Sequence, residues 1–222
     1  MVVLLSIGFC AKAQTKEQLF YYLKVSSANV EVDCYINGFP VYDINGDGMV
    51  SNQTPVNLAL FGEKNILKIV VKPKGENAFI SGGISPYGGG EIVSGDDVRE
   101  GVLQFEFRVE QPTTKTFEFK NERFDYRKTL ESVPVIDNKQ ELVKYALKIQ
   151  SLIKLKKSKK LIQEMAPKIE DTAEAYAVDA SIIYENMEQV LQSNIFTTPW
   201  QDVAEEDIVP VSYCEGRVWE LT

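Results

Sequence analysis

The sequence predicts an all-β antiparallel sandwich followed by an α+β part, in which three helices lead into antiparallel strands. Three observations carry that fold class. Through residues 19–125, apolar and polar side chains alternate with a period of two, the pattern of half-buried strands. After Pro134, the apolar residues shift to a spacing of three and four, which gathers them on one face of a helix. From Val209 onward, short strand-like runs return.

The β elements follow in order. Val30, Val32, Cys34 and Ile36 alternate with Glu31, Asp33 and Tyr35. Asn37-Gly38 comes next and then Phe39-Pro40-Val41-Tyr42; Asn-Gly between two strand-like runs is the strongest short hairpin signal, because a type I′ turn needs positive φ at both central residues. Ile66 to Val71 is a further strand, closed by Pro73. Leu103, Phe105, Phe107 and Val109 alternate with polar residues, and Phe117 and Phe119 repeat the pattern after the turn at Gln111–Thr114. About seven short strands with no helix between them make a sandwich of Ig-like or jelly-roll type. Ser81-Gly82-Gly83 and Gly88-Gly89-Gly90 read as a flexible connection around Ser85-Pro86-Tyr87, since no strand–loop–Lys–helix context supports a phosphate loop.

The helices come after a polar stretch. Asn138 with Glu141 three residues on can cap a helix carrying Leu142, Ala146, Ile149 and Ile153 on one face. Ser158 to Met165 reads as a second helix, broken near Pro167. Asp171 and Glu174 then cap a third, whose stripe runs Ala173, Tyr176, Ala177, Ala180, Ile183, Tyr184, Met187, Val190 and Leu191. Val209 to Cys214 and Arg217 to Leu221 are two strands around Glu215-Gly216. A lone hairpin is marginal in water, so the expectation is a larger sheet and a C-terminal part truncated at Thr222. The predicted layout is a signal peptide at 1–13, a β-sandwich at 14–125, a linker at 126–137 and an incomplete α+β domain at 138–222.

The N-terminus supplies a compartment. Val2 to Cys10 is an apolar run, and Ala11-Lys12-Ala13 ends it with small residues where a signal peptidase cuts, leaving Gln14 first in the mature chain. The run is shorter than the roughly 20 apolar residues that cross a bilayer. It lacks the usual basic start, which points to an initiation site further upstream. Bulky Phe9 before Cys10 argues against lipid attachment. The expected location is therefore periplasm, cell surface or extracellular space, with no membrane span.

Composition narrows the chemistry. The 222 residues are 44% hydrophobic and 25% charged, an ordinary globular balance, with a formal net charge of −8. Loss of the signal segment removes Lys12 and makes the chain more acidic still. An acidic chain is a poor match for nucleic acid, where phosphate neutralisation needs a basic face. There is no histidine, which excludes Ser-His-Asp and Cys-His catalysis, imidazole-based zinc sites and histidine pH switches. Cys34 falls at an inward strand position and Cys214 lies far along the chain; two buried free thiols is the plain expectation, with a disulfide as the alternative that an oxidising compartment permits.

Candidate sites are few. Asp43, Asn45 and Asp47, with Gly48, match the first half of a calcium loop, D-x-N-x-D-G, and Val50 takes the usual apolar eighth position. Thr54 stands where a bidentate carboxylate closes such a loop, and strands flank it in place of helices. The cofactor expectation is therefore none, or weakly held Ca2+. Tyr42 and Tyr87 are the aromatics placed to meet a ligand. Lys154, Lys156, Lys157, Lys159 and Lys160 read as a solvated helix end, because Glu164, Glu170, Asp171 and Glu174 follow closely. Asp96-Asp97 and Glu205-Glu206-Asp207 are carboxylate clusters without the burial that would separate an acid from a base.

Three resemblances add expectations. From Val30 to Pro73 the order is strand, Asn37-Gly38, strand, polar insertion, Pro55-Val56-Asn57-Leu58, Gly62-Glu63-Lys64-Asn65 and an apolar strand; this looks like the hairpin of galactose-binding-like jelly-roll modules. Three helices followed by strands resemble, in order, the nuclear transport factor-like (cystatin-like) α+β cone. The Ala-Lys-Ala-Gln junction with a two-part layout resembles exported proteins of Bacteroidota. Fold analogy does not confer function. The reading favoured is an exported, non-catalytic binding or scaffold protein with a protein or glycan partner. A carbohydrate-binding accessory module, possible with calcium, predicts an exposed aromatic platform at Tyr42 and Tyr87. A histidine-free enzyme of the cone type predicts a polar, carboxylate-bearing cavity in the second part.

Overall fold

The structure, a computed structural model, describes residues 19–45, 48–88, 91, 93, 101–121 and 125–221. The signal segment, Asp47 and Asp96-Asp97 lie outside the described residues. Among the described residues, the first eight strands form two four-stranded sheets. They are β1 (Leu19–Ala28), β2 (Val30–Ile36), β3 (Phe39–Asn45), β4 (Met49–Pro55), β5 (Lys64–Pro73), β6 (Phe79–Gly88), β7 (Leu103–Arg108) and β8 (Thr113–Lys120). One sheet has the order β4-β1-β6-β7 and the other β3-β2-β5-β8, with antiparallel neighbours throughout. The architecture is α+β with a sandwich-like β part, as the alternation predicts.

The two sheets close over one apolar core. Leu23 and Val25 from β1, Val32 and Ile36 from β2, Ile69 and Val71 from β5, and Ile80 and Ile84 from β6 are almost wholly buried. Each is an inward position of its strand, and full burial of such a side chain contributes about 1.5–3 kcal/mol. The Asn37-Gly38 turn has φ of 52° and 82°, the conformation its sequence predicts. Asn37 is also a structural hub. Its Nδ2 donates to the Ala59 carbonyl and to Asn65 Oδ1, both at 2.8 Å, and its Oδ1 accepts from Ile66 N at 3.0 Å.

Two strands escape the alternation pattern. β4 is polar and forms the edge of its sheet, so its backbone pairs with β1 while Met49 stands 76% exposed. β6 lies between β1 and β7, so its glycines are strand residues in place of a flexible connection. They are needed for room. A Cβ on Gly82 would stand 2.1 Å from the Lys24 carbonyl oxygen, and one on Gly83 would stand 2.4 Å from that of Leu103.

Four helices follow: α1 (Arg127–Ser132), α2 (Lys139–Lys154), α3 (Ser158–Tyr176) and α4 (Ala180–Val190), the last running into a wider turn at Leu191–Ile195. Asn138 caps α2 as expected: its Oδ1 accepts from Gln140 N at 3.1 Å and its Nδ2 donates to Glu141 at 3.2 Å. The predicted break near Pro167 is absent. α3 runs through it, and Ile169, Ala173 and Ala175 beyond it are all buried. A proline inside a helix costs about 3 kcal/mol, and burial of the following turns offsets it. The break falls instead at Ala177, in the left-handed region at φ 44°, and Asp179 caps α4 by accepting from Ser181 N at 2.9 Å. The long apolar stripe is therefore split between two helices.

Named contacts join the helices to the sandwich. Asn57, in the short turn Asn57–Ala59, donates to the Ala175 carbonyl at 3.0 Å. Phe20 stacks on Tyr176 with ring centroids 6.0 Å apart. Tyr126 donates to Asp171 Oδ2 at 2.6 Å, so the carboxylate expected to cap a helix is spent on a tyrosine. The stretch 126–137 holds α1, whose Leu130 is buried. Finally β9 (Pro210–Tyr213) and β10 (Val218–Leu221) pair as an antiparallel hairpin. Among the described residues, no helix is long and apolar enough to cross a membrane.

Candidate functional site

The β9–β10 hairpin lies beside β2 and β3, and a cleft opens between them. Strand alternation explains what faces it. On β2 the inward residues Val32, Cys34 and Ile36 feed the core, so Asp33 and Tyr35 point outward. Asp33 is paired directly with Asp43 of β3. From the hairpin come Tyr213, Val218, Trp219 and Glu220. Together with Pro40, Val41 and Tyr42 they enclose about 560 Å³. The cleft thus joins residues 33–43 to residues 213–220, from opposite ends of the described chain.

Three carboxylates and a set of aromatic rings meet there. Tyr35 and Tyr213 approach with ring centroids 6.1 Å apart, and Lys68, directly opposite on neighbouring β5, stands 5.4 Å over the Tyr35 ring. Tyr213 donates to Glu220 Oε2 at 2.8 Å, and this bond first, with burial second, pushes the Tyr213 phenol up to about 12. The Trp219 indole donates to the Gly216 carbonyl at 3.0 Å, which fixes its ring in the wall. Burial, then the Glu31 carboxylate, pushes the Asp33 carboxyl above its usual range; Lys72 opposes this and Asp43 adds to it. Glu31 is itself paired with Lys72 at 2.8 Å on the exposed sheet face.

A prediction follows from Asp33. A carboxyl whose pKa is raised by folding is easier to hold protonated in the folded chain. The penalty for its charge is therefore absent below the usual aspartate range and is felt in full once pH passes the folded value. Like charges directly opposite across a strand pair also destabilise. Asp33→Asn is expected to stabilise the fold by on the order of 0.5 kcal/mol at pH 7. The gain should vanish at pH 3, where both chains carry a neutral group; urea unfolding at the two pH values measures it.

The sequence-predicted residues are placed as follows. Tyr42 and Asp43 both line the cleft. Tyr42 is half-buried and packs against the core, because it pairs with inward-facing Cys34. Tyr87 sits in the other sheet, 1% exposed, edge-on to Tyr22 at 5.6 Å. Its ring is closed to a surface ligand, and the structure does not bring it to Tyr42. Asn45 lies exposed on β3 and accepts from Lys74 Nζ at 3.1 Å, so an ammonium already occupies its oxygen. Among the described residues, no group of three or more carboxylates or cysteines is placed to hold a metal ion.

The two cysteines among the described residues, Cys34 and Cys214, are free thiols. Cys34 is buried, which pushes its thiol up to about 12. Cys214 is half-buried at the hairpin turn, its sulfur 3.9 Å from the Asn37 carbonyl. Iodoacetamide at pH 8, read by peptide mass, should label Cys214 in the native chain and reach Cys34 only on unfolding. Equal labelling of both in the native chain would contradict the burial of Cys34.

Family models, curated proteins and solved structures offer no relative of this chain. The site therefore rests on its own chemistry. Asp33, Tyr35, Tyr213, Trp219 and Glu220 were legible only as outward or strand residues. The nearest signal was the polar half of the β2 alternation, which marks Asp33 and Tyr35 as facing away from the core.

Proposed function

We propose that the chain is an exported, non-catalytic binding protein that takes its ligand or partner into the cleft between β2–β3 and the β9–β10 hairpin. The observation that carries this reading is the cleft itself, which Asp33, Asp43 and Glu220 line together with Tyr35, Tyr213 and Trp219. A concave site of this size with a few convergent polar groups is the usual form of a ligand pocket. Export rests on the signal-like residues 1–13, and the two-part layout on the change of periodicity after Pro134.

Within that reading a glycan is the ligand class with specific support. Aromatic faces beside carboxylates suit a sugar, whose apolar ring face packs on an aromatic while its hydroxyls donate to carboxylates. The enzyme reading called for a carboxylate-bearing cavity in the second part. The cavity beside α2 is walled by Tyr145, Ile149, Ile153 and Trp200, while the second part's Glu220 stands in the cleft with Asp33 and Asp43.

The test is thermal unfolding of the chain against a panel of neutral glycans, with and without millimolar calcium. A ligand that binds only the folded state raises the midpoint by linkage. The expected result is a shift with a glycan that is lost in Tyr213→Phe combined with Asp33→Asn. A shift that needs calcium and disappears in Asp43→Ala would support the metal loop. A panel without effect would remove the glycan and turn the search to protein partners of the same cleft.

A further inference from the structure

A second cavity, of about 320 Å³, lies between α2 and the segment Trp200–Ile208. Tyr145, Ala146, Ile149 and Ile153 form its α2 wall, and Trp200, Val203, Ile208 and Leu221 close the other sides. Its mouth carries unusually exposed apolar groups for a solvated surface: Trp200 at 52%, Val203 at 44% and Tyr145 at 42%.

Gln201 and the Tyr145 hydroxyl stand on its wall, and its other polar side chains, Gln150, Lys154 and Trp200, are committed elsewhere. Gln150 donates to the Val203 carbonyl at 3.2 Å and accepts from Val203 N at 2.8 Å, so its amide pins the segment to α2. Lys154 is paired with Asp202 at 2.8 Å. The Trp200 indole N–H donates to the Ile195 carbonyl at 2.6 Å. An anionic occupant would have to compete with Asp202 for Lys154, and a cationic one would have to compete with Lys154 for Asp202. What these side chains leave free is hydrocarbon and ring surface.

We infer that this cavity binds a small, uncharged, apolar molecule, separately from the ligand of the β2–β3 cleft. Its volume, near the lower end of ordinary ligand pockets, suits a compact ring or short alkyl chain. The segment tied down at Gln150 and Lys154 bounds it on the side away from α2.

The experiment follows the indole N–H signals of the full chain by ¹⁵N–¹H NMR. The signal of Trp200 is assigned by its loss in Trp200→Phe, and Trp219 in the other cleft serves as the internal reference. The probes are hexan-1-ol, hexanoate and hexylammonium, which share one chain and differ in charge. Hexan-1-ol is expected to shift the Trp200 signal saturably, and each ion to need at least about tenfold more, because burying a charge without a partner is costly. Ala146→Phe should fill the cavity and abolish the shift without lowering the thermal midpoint. If that variant does not fold, Ile149→Ser takes its place, with weakened binding expected. Hexanoate or hexylammonium binding as well as the alcohol would overturn the inference. So would a shift that does not saturate, one that survives in folded Ala146→Phe, or one produced by raising protein concentration alone, which would make the face a contact between copies.

Discussion

Gly82→Ala is expected to prevent the sandwich from folding. Gly82 lies in β6, paired with Val25 of β1 on one side and Phe105 of β7 on the other. The added methyl carbon would stand 2.1 Å from the Lys24 carbonyl oxygen and 2.8 Å from the end of the Phe105 ring. The ring can turn away, but the carbonyl belongs to β1, which is paired with β6 along its whole length and with β4 from Tyr22 to Ala28. Relief requires parting two central strands. Ordinary overpacking costs about 1–3 kcal/mol, and a clash with backbone in a sheet interior exceeds that range. Gly48→Ala is the control. Gly48 has φ of +83° and nothing within 4 Å of the added carbon, so the cost there is left-handed strain alone, about 1–2 kcal/mol. Circular dichroism and urea unfolding compare the two. A Gly82→Ala chain that folds with no greater loss than Gly48→Ala would refute the packing seen around β6.

Asn57→Ala is expected to cost about 3 kcal/mol or more, the sum of several hydrogen bonds lost from a site without access to water. Asn57 is 0% exposed. Its Oδ1 accepts from Tyr21 N at 2.8 Å, and its Nδ2 donates to the Leu19 carbonyl at 3.2 Å and to that of Ala175 at 3.0 Å. One carboxamide thus ties the start of β1, the turn after β4 and the end of α3. The loss should have a place as well as a size. Amide exchange near residues 173–177 is expected to rise more than exchange in β2 or β5, because the tie to α3 goes while the core strands keep their ladders. Asn57→Asp should fare as badly, since a carboxylate keeps the acceptor but loses both donations and buries a charge. A loss under about 1 kcal/mol, or uniform exchange, would show that α3 is held on the sandwich by other contacts.

Asn57 also marks the limit of reading this sequence. It stands in the Pro55-Val56-Asn57-Leu58 run, where it looks like a turn residue. No local pattern says that its amide reaches a carbonyl more than a hundred residues away. Gly82 is similar. Glycine runs usually mean loops, because they lack side chains to pack, and here the same lack makes space for two neighbouring strands. Pro167 misled in the other direction: its local cost was legible, but the burial of Ile169, Ala173 and Ala175 that outweighs it was not.

By itself the sequence determined the inward residues of β2 and β7, the existence of β5, the Asn37-Gly38 hairpin, the Asn138 cap and the final hairpin around Glu215-Gly216. Each of these is written in residues close along the chain, through strand period, turn conformation or a cap reaching three positions on. Only the tertiary structure decided that Asp33, Tyr35 and Asp43 would share a cleft with Tyr213, Trp219 and Glu220, and that Tyr87 would be buried away from Tyr42. Alternation states which side of a strand faces away from the core. What comes to lie against that side depends on how distant segments pack, and that depends on contacts no short window contains.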